Sequence, residues 1–182
     1  MNTNETPFAL LASKRQSDRK YKDIPVEKEK ILRCLETARL SPSACNSQPW
    51  HFVVVDDEKL VQDMAKNVVS VGMNSFAPQA KMWVAVVLEK MNFTATIGSV
   101  IKDKEYSLLD VGIAVNQFCL QAAELGLGTC IIGWFDEKKV KKLLQINSRK
   151  RVPVLISVGY PDSDTRPKVR KPLDKMSSWN KY

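Results

Sequence analysis

The stretch SPSACNSQPW, residues 41–50, separates a helical pattern from an extended one and fits neither. Pro42 disfavours helical backbone in the residue before it, so the preceding helix is expected to end there. Pro49 imposes the same constraint just before a strand, and Asn46 and Gln48 add side-chain amides between the two rigid elements. Such a loop is either a connection built from turn residues or a mount for ligand contacts, and its composition leaves both interpretations open.

On both sides of this loop, helical and strand patterns alternate along the chain. Helices are expected over residues 6–14, 26–40, 58–71 and 107–125 and from Asp136 onward. Strands are expected in HFVVVDD (51–57), KMWVAVVLEK (81–90), TCIIGWF (129–135) and VPVLISVGYP (152–161). The near-continuous apolar centre of the first strand predicts burial on both faces. This order predicts an α+β fold in one domain, residues 1–182, with a four-stranded sheet covered by helices on both faces.

Three further segments carry specific expectations. The helix over 107–125 is apolar on almost every side, which predicts burial, with a subunit interface as a natural place. Gly126 then suits a left-handed helix cap. Residues 91–106 lack periodicity and are expected to form a mobile cover, or lid, or an insertion. The tail from 162 is expected either to be disordered or to dock on another surface, such as a second subunit.

Composition and motifs exclude several classes of function. The chain has 182 residues, of which 44% are hydrophobic and 26% charged, as in ordinary globular proteins. No membrane-length apolar run and no secretory signal pattern are present, so a cytoplasmic protein is expected. The glycine-rich phosphate-binding motifs GxGxxG and GxxxxGK[ST] do not occur. No Ser, His and Asp residues are placed in the sequence in a way that indicates a catalytic triad. The single histidine, His51, argues against a His-rich metal site, and no metal is predicted.

The four cysteines are scattered without a CxxC pair. Cys34 and Cys119 lie in apolar helical patterns and are expected to be buried, reduced side chains. Cys45 lies in the loop and is a candidate reactive thiol, although no histidine or charged partner is placed by the sequence to lower its pKa.

The net charge of +8 allows either a nucleic acid or a small phosphorylated ligand as partner. Arg15, Ser17 and Arg19 occupy alternate positions, so in extended backbone their side chains point to one side. Two guanidinium groups and a hydroxyl arranged in this way either bind one phosphate or form an exposed basic turn. Lys168 and Arg170 form a similar alternate pair near the other end of the chain.

Five segments in order resemble the nitroreductase family of flavoenzymes. They are RQSDRKYKDIPV (15–26), ETARLSPSACNSQPWHFVVV (36–55), AAELGLGTCIIGWFD (122–136), VLISVGYP (154–161) and RPKVRKPL (166–173). The resemblance covers essentially the whole chain. It implies a three-layer α/β/α fold with a central mixed sheet of four strands, completed by a C-terminal segment of a partner subunit. It also implies that an arm, residues 166–182, docks on that partner.

The resemblance further implies a homodimer that binds FMN at the subunit interface. The residues expected to hold the FMN phosphate and ribityl chain are Arg15, Ser17, Arg19, Lys168 and Arg170. The loop is expected to reach the flavin of the other subunit through Pro42, Ser43, Ala44, Asn46 and Gln48. The residues expected beside the isoalloxazine, with a backbone N–H near N5, are Ile131, Ile132 and Gly133. These assignments are physically reasonable because cations neutralise a phosphate, amides match a flavin edge and glycine permits close backbone approach.

The activity implied is hydride transfer from NADH or NADPH to N5 of FMN, followed by electron transfer to a nitroaromatic, a quinone or a similar small aromatic acceptor. A ping-pong mechanism follows if both substrates use one flavin face. FMN carries this chemistry, so no catalytic side chain is expected. Two departures from the family affect the acceptor site. The cover over the flavin must come from residues 67–106 alone, and Trp134 stands where a smaller residue is common, which would narrow the cleft.

Three alternatives remain open at this point. One is a flavoenzyme of the same fold that carries out reductive dehalogenation or flavin breakdown. Another is an FMN-binding protein without catalysis. The third is a basic nucleic-acid-binding domain, which is disfavoured because Trp50, Phe52 and Trp83 lie in apolar patterns and do not alternate with Lys and Arg.

Overall fold

The computed structural model of the protein describes residues 6–69, 73–92 and 105–182, and the statements below concern these ranges. The five helices in these ranges are α1 (Pro7–Lys14), α2 (Lys28–Arg39), α3 (Glu58–Val68), α4 (Tyr106–Glu124) and α5 (Glu137–Leu143). The four strands are β1 (Trp50–Val55), β2 (Met82–Leu88), β3 (Gly128–Ile132) and β4 (Arg151–Gly159). Most of the predicted cover, residues 93–104, lies outside the described ranges.

The helix ends follow local sequence signals. The Thr6 side chain accepts a hydrogen bond of 3.2 Å from the Ala9 backbone N–H, which confirms the predicted start of α1. Asp136 caps α5 in the same way, since its carboxylate accepts from the Lys139 backbone N–H at 3.0 Å. Gly126 has φ +78° just after the end of α4, as predicted for a left-handed cap. The third helix ends at Val68, three residues before its predicted end.

The strands form one sheet in the order β1-β2-β4-β3, and every pairing in it is antiparallel. The predicted four strands and α+β class are confirmed. The predicted mixture of parallel and antiparallel pairing is not found among the four strands. An isolated parallel bridge joins Ser17 to Thr129 of β3. The predicted burial of the first strand on both faces is wrong within one chain, because β1 is an edge strand and only Val55 is buried. An apolar run does not reveal which strand of a sheet lies at its edge.

Helices cover both faces of the sheet, which confirms the three-layer arrangement. On one face α3 and α5 pack through residues that include Val61, Met64 and Val140, and the strand residues there include Trp83 and Leu155. On the other face α2 and α4 pack against strand residues that include Val84 and Ile156. The central strand β2 is buried from Met82 to Val87. The sheet is therefore a rigid support whose strand ends and edges are available to hold a site.

Helix α4 is buried on one side only. Val111, Val115 and Phe118 belong to the core, whereas Leu109 is 61% exposed and Ile113 is 41% exposed. Burial of this helix on every side is not found within one chain, and the predicted subunit interface on its exposed face stays a prediction. Leu109 and Ile113 lie four positions apart, on one face of the helix, and Leu108 next to them is 39% exposed.

Candidate functional site

Residues 15–19 run beside the edge strand β3. Ser17 forms the parallel bridge to Thr129, and the Asp18 backbone N–H donates to the Thr129 carbonyl oxygen at 2.9 Å. Arg15, Ser17 and Arg19 line a cavity of about 320 Å³. The alternate side chains, those of Gln16 and Asp18, are buried. Attachment to the sheet therefore gives this segment the extended backbone that the alternate spacing requires.

The C-terminal arm completes the same cavity. Arg166, Lys168 and Arg170 line it together with the N-terminal residues. The Lys168 ammonium donates to the Arg15 carbonyl oxygen at 2.5 Å, and Arg166 Nη2 donates to the Ser17 carbonyl oxygen at 2.7 Å. The structure thus brings together all five residues predicted to surround a phosphate, and it adds Arg166 to them.

The cavity has a strong excess of positive charge. Within the described part of the chain, its five cations form no salt bridge with a carboxylate; they are Arg15, Arg19, Arg166, Lys168 and Arg170. Partial burial, and then the charges of Arg15, Arg170 and Arg166, lower the pKa of Lys168 from its ordinary value. Such a group of cations is suited to an anion, and guanidinium forks match the oxygens of a phosphate.

At the C-terminal end of β3, around Gly133, the backbone is exposed. Ile131 is 38% exposed, Ile132 points into the core and is 4% exposed, and a Cβ at Gly133 would meet nothing within 4 Å. From Thr129 to Gly133 the chain advances by about 13 Å, at 3.3 Å per strand residue. A phosphate held near Thr129 and a flat ring near Gly133 would therefore leave room for a ribityl chain between them. Trp134, next to Gly133, is 63% exposed.

The loop over residues 41–50 contains a short 3-10 helix, Ala44–Asn46, and has an unusual backbone conformation. Cys45, Asn46 and Gln48 have φ of 49°, 52° and 49°, a region that non-glycine residues seldom occupy. Such residues cost of order 1–3 kcal/mol each and tend to cluster at functional sites. The Ser43 hydroxyl accepts from the Gln48 backbone N–H at 2.9 Å, which stabilises the turn.

Two residues from other parts of the chain hold this loop in place. The carboxylate of Asp110, buried in α4, accepts from the Ala44 backbone N–H at 3.1 Å. The side-chain amide of Asn92 donates to the Cys45 carbonyl oxygen at 2.7 Å. The loop is therefore a fixed element, with the side chains of Asn46 and Gln48 exposed.

Within one chain, the loop and the cationic cavity are not brought together. The loop leads into β1, whereas the cavity adjoins β3, and these strands are the opposite edges of the sheet. No residue of the loop lines the cavity. Neighbouring strands lie about 4.8 Å apart, so the two edges are separated by about 14 Å.

Four residues at these sites are missing from the predicted set: Gln16, Asn92, Asp110 and Arg166. Arg166 continues the alternate pattern of Lys168 and Arg170, so the spacing contained a signal for it. Asp110 is a lone charge in an apolar helical pattern, which is also a recognisable signal. No local pattern distinguishes Gln16, because three of its four hydrogen bonds are made with residues about 150 positions away.

Whether each cysteine is buried follows from the sequence pattern around it. Cys34 and Cys119 are buried, which confirms the expectation, and Cys130 is buried as well, whereas Cys45 is exposed. Burial raises the pKa of Cys34 to about 12 and that of Cys119 to about 11, so both thiols stay protonated at neutral pH. Among the described residues no His, Cys, Asp or Glu cluster is arranged to hold a metal ion. No described helix has the length and apolar composition needed to cross a membrane.

The sequence profile of the Nitroreductase family matches residues 12–160. The chain belongs to the nitroreductase family. An oxygen-insensitive NADPH nitroreductase of Helicobacter acinonychis is 30% identical over 97% of this chain and 98% of its own length. An iodotyrosine deiodinase of Thermotoga neapolitana is 31% identical over 87% of this chain and 90% of its own length. The solved structure of an FMN-dependent nitroreductase from Clostridium difficile has a TM-score of 0.78 and 30% identity, and covers 94% of this chain and 98% of its own. The predicted family is thereby confirmed.

Proposed function

We propose that this nitroreductase-family protein is an FMN-dependent oxidoreductase that takes reducing equivalents from NADH or NADPH. It passes them to a nitroaromatic, a quinone or a similar small acceptor in a ping-pong reaction. The observation that carries the proposal is the cavity beside β3, in which cations from both ends of the chain converge. Convergence on one cavity favours a small phosphorylated ligand over an extended polyanion such as nucleic acid. The NADPH nitroreductase among its relatives supports NADH or NADPH as the electron donor.

The residues present fit FMN. Arg15, Arg19, Lys168 and Arg170 would bind the phosphate, and Ser17 lies among them as a hydrogen-bonding group. The open space over Gly133 would admit a flat ring against the backbone. When bound, FMN supplies the redox chemistry, and the protein contributes binding, orientation and electrostatics. No catalytic side chain is assigned.

We propose further that the protein works as a homodimer. The loop and the cavity lie at opposite edges of one sheet, so a loop that contacts flavin would serve the site of a second chain. Large apolar side chains are exposed on α1, α2 and α4, on the side of the sheet that α2 and α4 cover; they include Phe8, Leu32, Leu109 and Ile113. The arm, residues 166–182, exposes Leu173, Met176 and Trp179, which supports docking on a partner.

A second reaction is favoured by one observation, the similarity to an iodotyrosine deiodinase. Reductive dehalogenation would use the same cofactor site with a halogenated aromatic substrate. Iodide release from iodotyrosine by the reduced protein, with little oxidation of NADPH in the presence of a nitroaromatic, would favour this reaction. Rapid reduction of the nitroaromatic without iodide release would favour the first proposal.

The first experiment is an absorption spectrum of the purified protein. We expect a yellow protein with flavin near-equimolar to the chain, because the cationic cavity should retain the FMN phosphate through purification. Addition of NADH or NADPH under anaerobic conditions should bleach the flavin band, and the faster donor identifies the preferred nicotinamide. A colourless protein that cannot be reconstituted with FMN would refute the proposal.

The proposed location is the cytoplasm, where NADH and NADPH are available. The four cysteines are all unpaired, as is usual in a reducing compartment.

A further inference from the structure

One buried amide connects the two ends of the chain. Gln16 is 9% exposed, and its Nε2 donates to Asp18 Oδ1 at 2.9 Å and to the Asp164 carbonyl oxygen at 3.2 Å. Its Oε1 accepts from the Arg166 backbone N–H at 3.0 Å and from Arg166 Nε at 3.3 Å. Both donor hydrogens and both acceptor positions of the amide are therefore used. Three of these four bonds reach residues 164–166, at the start of the arm.

Asp18 fixes this amide to the sheet. Its backbone N–H binds the Thr129 carbonyl oxygen, and its carboxyl group is packed over Gly128. A Cβ at position 128 would lie 2.8 Å from Asp18 Oδ2, so a side chain there would displace the carboxyl group. Asp18 is 6% exposed, and burial raises its pKa. Gln16 is thus held between a fixed carboxyl group and the chain entering the arm.

The cavity needs such a connection because its charges repel one another. Lys168 and Arg170 are brought close to Arg15 without a carboxylate in a salt bridge with them. Partial burial lowers the pKa of Lys168 most, and the repulsion from Arg15, Arg170 and Arg166 lowers it further. A carboxylate in place of the amide would attract these cations and would compete with a phosphate for them. A neutral amide holds the arm without adding negative charge at its attachment point.

We propose that Gln16 is a positioning residue that locks the arm onto residues 15–19 and so assembles the cationic cavity before the ligand binds. Through the hydrogen bonds of Gln16 to the start of the arm, Lys168 and Arg170 stay close to Arg15 and Arg19. The identity of the ligand, the phosphate group of FMN, rests on the proposed function.

The test replaces Gln16 with methionine, which has a similar volume but cannot make these hydrogen bonds. Gln62→Met, at an exposed position of α3, is the matched control. Dissociation constants of the apoprotein for FMN and for riboflavin are measured by flavin fluorescence. We expect Gln16→Met to weaken FMN binding about tenfold, as the loss of one or more net hydrogen bonds predicts. Riboflavin binding should not change because riboflavin has no phosphate, and Gln62→Met should match the wild type for both ligands.

A second measurement does not depend on flavin. Trypsin cleavage after Lys168 requires the arm to leave the Arg15 carbonyl, so its rate reports local opening. In the apoprotein, Gln16→Met should be cleaved there about tenfold faster than the wild type. If Gln16→Met does not fold, Arg166→Ala removes the side-chain bond to Gln16 and the bond to the Ser17 carbonyl oxygen from an exposed position, and should also accelerate this cleavage.

Two results would overturn the proposal: an equal loss of FMN and riboflavin affinity, or an unchanged cleavage rate in the variant that folds. The equal loss would show a general structural effect. A wild-type apoprotein that binds neither flavin would refute the proposed function, whereas the cleavage experiment would still decide whether Gln16 locks the arm.

Discussion

At the scale of single residues, Lys168 is the most informative member of the cationic cavity. Partial burial and the neighbouring arginines favour its neutral form, so its pKa lies below the ordinary lysine value of 10.5. A phosphate dianion beside it would favour the charged form and raise that pKa again. Binding of a phosphate would therefore take up a proton in the pH range between the two pKa values.

This linkage predicts that the affinity for FMN falls as the pH rises through that alkaline range. Lys168→Arg should remove most of the dependence, because arginine keeps its charge throughout the range. The measurement is the dissociation constant for FMN from neutral to alkaline pH, with riboflavin as the ligand that lacks the phosphate. An equally steep dependence in Lys168→Arg would show that another group titrates.

At the scale of elements, residues 41–50 show why a loop can be more precise than its composition suggests. Three residues with positive φ constrain its backbone to one conformation. Hydrogen bonds between that backbone and the side chains of Asp110 and Asn92 hold the loop against the rest of the chain. A loop that stores strain in this way is expected to present its amides in a fixed orientation. The Gln48 amide, for example, donates to Asn46 Oδ1 at 3.1 Å.

The variant Asn46→Gly tests this element. Glycine accepts the φ of 52° at this position, so the backbone should be retained while the amide is lost. We expect FMN affinity to fall about tenfold, as the loss of a ligand hydrogen bond predicts, with little change in the thermal midpoint. Gln145→Gly, at another residue with a side-chain amide and positive φ, lies outside the proposed site and is the control; it should leave the affinity unchanged. Unchanged affinity in Asn46→Gly would make the loop a simple connection.

The elements also show what a sequence can predict. The Thr6 cap and Gly126 were predictable because their signals are local, and the alternate spacing of Arg15, Ser17 and Arg19 was predictable because extended backbone follows from it. The edge position of β1 was not, because strand order depends on pairings between distant segments. The role of Gln16 was hidden for the same reason, since three of its four hydrogen bonds reach the arm.

At the scale of the whole molecule, one chain contains all the parts of the proposed site but separates them. The cavity and Gly133 lie along β3, and the loop lies beyond the opposite edge of the sheet. The exposed residues Leu109 and Ile113 of α4 offer a surface on which a second chain could supply the missing loop.

We therefore expect the protein to be a dimer by light scattering and the double variant Leu109→Lys with Ile113→Lys to be a monomer. Lysines on this apolar surface would have to lose their hydration on association. The monomer should bind FMN more weakly than the dimer because each site would lack the loop. Val69→Lys, at an exposed position on the opposite side of the sheet, is the control. A monomeric wild type that binds FMN fully would contradict the shared site.

The edge strand β1 has a consequence for the handling of this protein. Among the described residues it pairs only with β2, and its sequence WHFVVV contains no proline and no Lys, Arg, Asp or Glu. An open edge of this composition is a template for strand pairing between molecules, the first step of aggregation. The net charge of +8 opposes such encounters by mutual repulsion. That protection should weaken in high salt and near the isoelectric point of about 9.3, where the protein is expected to precipitate most readily.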